Sequence, residues 1–151
     1  FRSMNRQDEF IQTFTIWGRD FSRAGSVSTE IKEILQEIGV PSSIVRRVAI
    51  ASYEAEMNVV MYAHKGELIL TLNPETIKIE VEDKGQGIED IELAMQEGYS
   101  TATEEMREMG FGAGMGLPNI KKNADVFIIT STPGVGTYLK MLFYLDNEKA
   151  K

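Results

Sequence analysis

At 151 residues the chain has the length of one domain able to bury a real core. Its hydrophobic fraction of 42% and charged fraction of 26% are ordinary for a globular protein, and no apolar run approaches the roughly 20 residues a membrane span needs. A formal net charge of −7 argues against nonspecific nucleic-acid binding, and the lack of cysteine removes disulfide and thiolate chemistry and fits a reducing, cytoplasmic setting.

Phe1-Arg2-Ser3 ahead of Met4 reads as a tag fragment or an internal start, which leaves residues 4–147 as a single domain. Phe10–Trp17 (FIQTFTIW) alternates well enough for a first strand. From Ser28 to Gly39, apolar residues at 31, 34, 35 and 38 have helical spacing, with a polar start and a glycine stop. Pro41-Ser42-Ser43 opens a longer helix through Ile44, Val48, Ala51, Ala55, Val59 and Tyr62, predicted to end near Lys65-Gly66. Glu56 and Lys65 are read as solvated.

Glu67–Asn73 and Thr76–Asp83 are strand-like runs joined by a hairpin at Asn73-Pro74-Glu75. A short helix is expected over Glu89–Glu97, then a polar stretch, 98–110, with little to bury, which reads as a lid. Glycines 110, 112, 114 and 116 run into a helix, Pro118–Ala124, and strands Val126–Thr132 and Thr137–Leu145 close the chain around Pro133-Gly134-Val135-Gly136. Hairpin-linked strands with the helices grouped in sequence argue an α+β fold: a mixed, mostly antiparallel sheet with helices on one face. A doubly wound sheet fits poorly.

Four stretches can carry chemistry. In Ile77-Lys-Ile-Glu-Val-Glu-Asp83-Lys-Gly85-Gln-Gly87, Asp83 continues the inward face of Ile77, Ile79 and Val81. It is either the start of an Asp/Gly turn or a buried acid that needs a dedicated partner. Glu54 and Asn58 lie four apart on one helix face, either as a polar edge or as a base and an amide able to ligate Mg²⁺. The glycines at 110–116 free backbone N–H groups ahead of a helix, an arrangement suited to an anion. A polar loop and not a strand precedes them, so a dinucleotide-binding fingerprint fails, and there is no P-loop sequence. Thr137 shares the inward set of the last strand with Leu139, Met141 and Phe143. His64 is the only histidine, which leaves no basis for a histidine cluster and reads as a helix-end residue.

Glu54-x-x-x-Asn58, Asp83-x-Gly85-x-Gly87, Gly112-x-Gly114-x-Gly116-Leu117 and Pro133-Gly134-x-Gly136-Thr137, in that order and at that spacing, resemble the sequence boxes of the GHKL (Bergerat-fold) ATPases over about residues 40–145. The chain is most similar to the stand-alone bacterial anti-sigma factor serine/threonine kinases, since no dimerisation or phosphoacceptor-histidine domain accompanies the boxes. The resemblance implies a two-layer α/β sandwich, the Bergerat ATP-binding fold, with ATP and Mg²⁺ as cofactors. By the same resemblance Asp83 accepts the adenine amino group, supported by Thr137 directly or through water. Asn58 holds Mg²⁺ and Glu54 is the general base. Gly112, Gly114 and Gly116 offer N–H groups to the phosphates, Arg107 is a candidate γ-phosphate contact, and Gly85, Gly87, Ile88, Met115 and Leu117 complete the cofactor-binding set. Where such relatives often carry a histidine four residues after the asparagine, this chain has Tyr62. The implied partners are a sigma-like factor and an anti-anti-sigma-like antagonist, with no direct nucleic acid and no membrane, and the likeness extends to relatives that are often homodimers. Two uses of ATP stand open: a Ser/Thr kinase that phosphorylates the antagonist, or a binding module whose partner affinity is gated by nucleotide without phosphoryl transfer.

Overall fold

The computed structural model describes residues 9–97, 104 and 116–145. Alternation over Thr76–Gly85 makes that segment the central strand, β3, of a five-stranded sheet ordered β1-β2-β3-β5-β4. The other strands are β1 (Phe10–Trp17), β2 (Ala63–Leu72), β4 (Val126–Thr132) and β5 (Gly136–Tyr144). Every pairing is antiparallel among the described residues, in line with the mostly antiparallel sheet expected and without its mixed component. The register stacks Leu68, Val81 and Leu139, then Leu70, Ile79 and Met141, then Leu72, Ile77 and Phe143 across the middle strands. All nine are at most 1% exposed. Each such side chain stabilises the fold by about 1.5–3 kcal/mol relative to exposure, so this inner face dominates the packing.

The helices cover that face. Those whose bounds lie within the described residues are α1 (Ser26–Glu37), α2 (Ser42–Tyr62), α3 (Ile91–Ala94) and α4 (Gly116–Asn123), with a 3-10 turn at Phe21–Arg23. Val27, Ile31 and Leu35 of α1 are buried at four-residue spacing. The helix ends in a Schellman arrangement, with Val40 N–H on the Leu35 carbonyl and Gly39 N–H on that of Gln36. Its start has no capping side chain of its own. Glu56 of α2 supplies one: its carboxylate accepts the N–H groups of Gly25 (3.1 Å), Val27 (3.2 Å) and Ser28 (2.9 Å). Glu56 is therefore buried, 1% exposed, and not solvated as the sequence suggested. Lys65 is exposed as expected, 5.1 Å from the Trp17 ring centroid.

α2 is the long packing helix, with Ala51, Ala55 and Val59 fully buried against its neighbours. It ends at Tyr62, and β2 begins at once at Ala63, three residues before the expected stop at Lys65-Gly66. The cause is long-range. Trp17 and Ile16 of β1 pair with Lys65 and Gly66, and Gly18 N–H donates to the His64 carbonyl, so the ladder claims this stretch. Gly66 is a close-approach position and not a helix stop, since a Cβ there would come within 2.9 Å of the Val59 methyl groups. α3 is shorter than the expected 89–97, capped by Asp90, which accepts Leu93 N–H. α4 starts two residues before Pro118, which the first turn accommodates because its N–H positions have no helical partner. Arg47 of α2 pairs with Asp125 at 2.8 Å and ties α2 to the turn entering β4. Among the described residues, no helix is long and apolar enough to cross a membrane.

Candidate functional site

Asp83 sits near the end of β3, beside Gly66 of β2 and the start of β5, and is buried on the inner face as its alternation implied. Its Oδ1 accepts the Thr137 backbone N–H at 3.2 Å, the only hydrogen bond it makes among the described residues. Burial raises the Asp83 pKa, and the Thr137 N–H opposes the rise. Thr137 touches Asp83 through its main chain and not its side chain. Its hydroxyl turns to Ser131 Oγ, 2.9 Å away. Ser131 gives its one proton to the Gly136 carbonyl (3.0 Å), so Thr137 is the donor of that pair. Ser131 Oγ also accepts the Ile88 N–H at 2.7 Å. Sequence reasoning missed Ser131. The signal was present, because Ser131 continues the set of Phe127 and Ile129 along β4 and lies opposite Thr137.

The segment after Asp83 folds back onto the β4–β5 turn. Gly85 N–H donates to the Val135 carbonyl and Gly134 N–H to that of Gln86. Gly87 has φ of +71°, and a Cβ there would lie 2.4 Å from the Thr132 carbonyl oxygen, so glycine is required by both backbone and space. Asp83, Gly85, Gly87, Ile88 and Thr137 are thus brought into one cluster, fastened by Ser131.

Glu54 and Asn58 are both half-buried on α2. Glu54 faces α4: its Oε1 is 3.5 Å from Asn119 Nδ2, and its Oε2 is 3.4 Å from where a Cβ on Gly116 would stand. Burial raises the Glu54 pKa, and the Asn119 amide opposes the rise. Gly116 heads α4, while Leu117 is buried in the hydrophobic core. Arg107, Gly112, Gly114 and Met115, with nearly all of the 98–110 stretch, lie outside the described residues. A cavity of about 380 Å³ opens at the end of the sheet, lined by Arg19, Tyr62, His64, Gly85 and Gln86 among others. Tyr62 and His64 both border it, and Gly85 joins it to the Asp83 cluster; His64, expected at a helix end, lies in β2 because the ladder begins at Ala63.

Residues 20–143 match the family described as the histidine kinase-like ATPase domain. The chain belongs to this family. Among curated relatives, it is 30% identical over 118 residues to serine/threonine-protein kinase RsbT of Bacillus subtilis (strain 168), covering 76% of this chain and 83% of that protein. It is 38% identical over 101 residues to the anti-sigma F factor of Thermoanaerobacter sp. (strain X514), covering 64% and 67% respectively. In structure it is similar to the RsbU and RsbW domains of Rv1364c from Mycobacterium tuberculosis, with a TM-score of 0.60 at 17% identity over 89% of this chain. This chain spans 31% of that longer one, and the likeness is one of fold. The α+β architecture read from the sequence is the fold of this family.

Proposed function

We propose that this histidine kinase-like ATPase domain binds Mg·ATP and acts as an anti-sigma-type serine/threonine protein kinase in the cytoplasm. It phosphorylates a small antagonist protein and sequesters a sigma-type transcription factor. One observation carries the reading: two desolvated carboxylates, Asp83 and Glu54, each with one oxygen engaged by a fixed donor. The names of the two relatives, a serine/threonine kinase and an anti-sigma factor, support it.

The residues fit the nucleotide. Asp83 Oδ1 is anchored by Thr137 N–H, which leaves Oδ2 to accept from an adenine amino group. Gly85, Gly87 and Ile88 form the backbone wall beside it; by the family resemblance Gly112, Gly114, Met115, Gly116 and Leu117 would belong to the phosphate-binding stretch and Arg107 would contact the γ-phosphate. Gly116 heads a helix, where N–H groups lack helical partners and favour anions. The Asn58 amide oxygen, one turn beyond Glu54, would ligate Mg²⁺, which typically takes one or two protein ligands beside phosphates and water. Bound Mg²⁺ would neutralise charge on the transferring phosphoryl group. Glu54 accepts the proton of the serine or threonine hydroxyl. Burial strengthens its hold on that proton, as a general base requires.

The test is transfer of γ-phosphate from Mg·ATP to a serine-bearing antagonist protein. Glu54→Gln is expected to slow transfer by about 10²–10⁴-fold with ATP affinity retained. Equal transfer by the variant would remove Glu54 from the chemistry.

A further inference from the structure

Resting on that reading of Glu54 as base, we infer that Asn119 is the positioning residue that orients the Glu54 carboxylate, with α4 as its fixed mount. A glutamate on a helix has three side-chain torsions, so a base is effective only if something holds its carboxylate plane. Asn119 Nδ2 is the one donor on Glu54 among the described residues, at 3.5 Å from Oε1. The contact is long, as such hydrogen bonds often are before substrate tightens them. With Oε1 held, Oε2 faces the start of α4, where Gly116 leaves it room.

The mount is itself anchored. The Asn119 carbonyl accepts Asn123 Nδ2 at 2.8 Å, and the Asn123 carbonyl accepts Arg47 Nε at 2.9 Å. Arg47 also pairs with Asp125 just beyond α4. Arg47 and Glu54 are two turns apart on α2, and Arg47 holds the C-terminal end of α4 to α2 one turn beyond Asn119. The amide of Asn119 therefore projects from a helix that cannot rotate freely above Glu54. An aliphatic side chain at 119 would keep the packing and lose the donor.

Asn119→Leu and Asn119→Ser, each checked for an unchanged melting transition, are compared with wild type alone and in a Glu54→Gln background. The expected result is a drop in kcat of about tenfold, with the KM and Kd for ATP unchanged and no further loss on top of Glu54→Gln. A residue that merely supports the fold would give the same fractional loss in both backgrounds. That outcome, or an unchanged kcat in both variants, overturns the inference. A second readout needs neither transfer nor a variant at 119: in nucleotide-free protein, the side-chain amide resonances of Asn119 should move on Glu54→Gln and stay in place on Glu92→Gln. Amide resonances indifferent to Glu54→Gln overturn the inference. If wild type transfers no phosphate to any hydroxyl, the kinase reading fails, and the amide resonances alone decide whether Asn119 holds Glu54.

Discussion

Glu56→Gln isolates one device of the fold, the carboxylate from α2 that caps the start of α1. Three N–H groups, of Gly25, Val27 and Ser28, converge on it at 2.9–3.2 Å, and it is 1% exposed. Glutamine keeps one acceptor oxygen and turns an NH₂ toward N–H donors, so at least one of the three bonds is lost. A buried hydrogen bond to a charged group contributes about 1.5–3 kcal/mol, and the loss of negative charge at a helix start removes about 0.3–1 more, so the expected cost is about 2–4 kcal/mol. Urea denaturation followed by far-ultraviolet circular dichroism measures it. Glu30→Gln and Glu33→Gln are the controls, because both side chains are exposed on α1 and should change stability by less than about 0.5 kcal/mol. A Glu56→Gln variant as stable as those controls would refute the capping argument.

Other outcomes follow from polar contacts away from the site. Tyr138 donates to Glu80 at 2.7 Å, and its phenol is pushed up to about 12 by that bond first and by burial second. Because the folded value is raised, this contribution is complete below the unfolded phenol value and is lost as pH climbs through about 12. Ultraviolet titration should show a late-ionising tyrosine component that moves down in Glu80→Gln, and a tyrosine titration unaltered by Glu80→Gln would contradict the pairing. Arg47→Ala removes the bonds to Asp125 and Asn123. With Arg47 32% exposed the pair is partly screened, so the expected cost is about 1 kcal/mol by denaturation, and a neutral variant would show the tie contributes nothing.

Local pattern was enough where local forces decide. β1 begins and ends where alternation placed it, β4 where its strand-like run ahead of the turn at 133–136 placed it, and Asp83 faces inward because Ile77, Ile79 and Val81 do. The end of α2 was not legible, because Ala63–Gly66 has no strand signal of its own and extends through pairing with β1 on one side and β3 on the other. Glu56 was misread for a related reason. Its row, Val48, Ser52, Glu56 and Val60, is buried throughout, yet charge suggested solvent, and the partner that stabilises it lies about thirty residues earlier in the chain. In the site, Glu54, Asn58 and Asp83 were legible as polar interruptions of apolar patterns. Ser131 and Asn119 were not, since a single hydroxyl or amide gains meaning only from what the fold sets beside it.

Titration calorimetry with Mg·ATP and Mg·GTP on wild type and Asp83→Asn tests the central claim most directly. Asp83 Oδ2 would accept from the adenine amino group, whereas guanine presents a carbonyl oxygen at the equivalent position. Wild type is expected to bind ATP with clear preference over GTP. Asp83→Asn, of nearly the same volume, should lose at least tenfold in ATP affinity, about 1.4 kcal/mol, and most of that preference. Equal ATP affinity in the two proteins, or a wild type that binds neither nucleotide, would contradict the account.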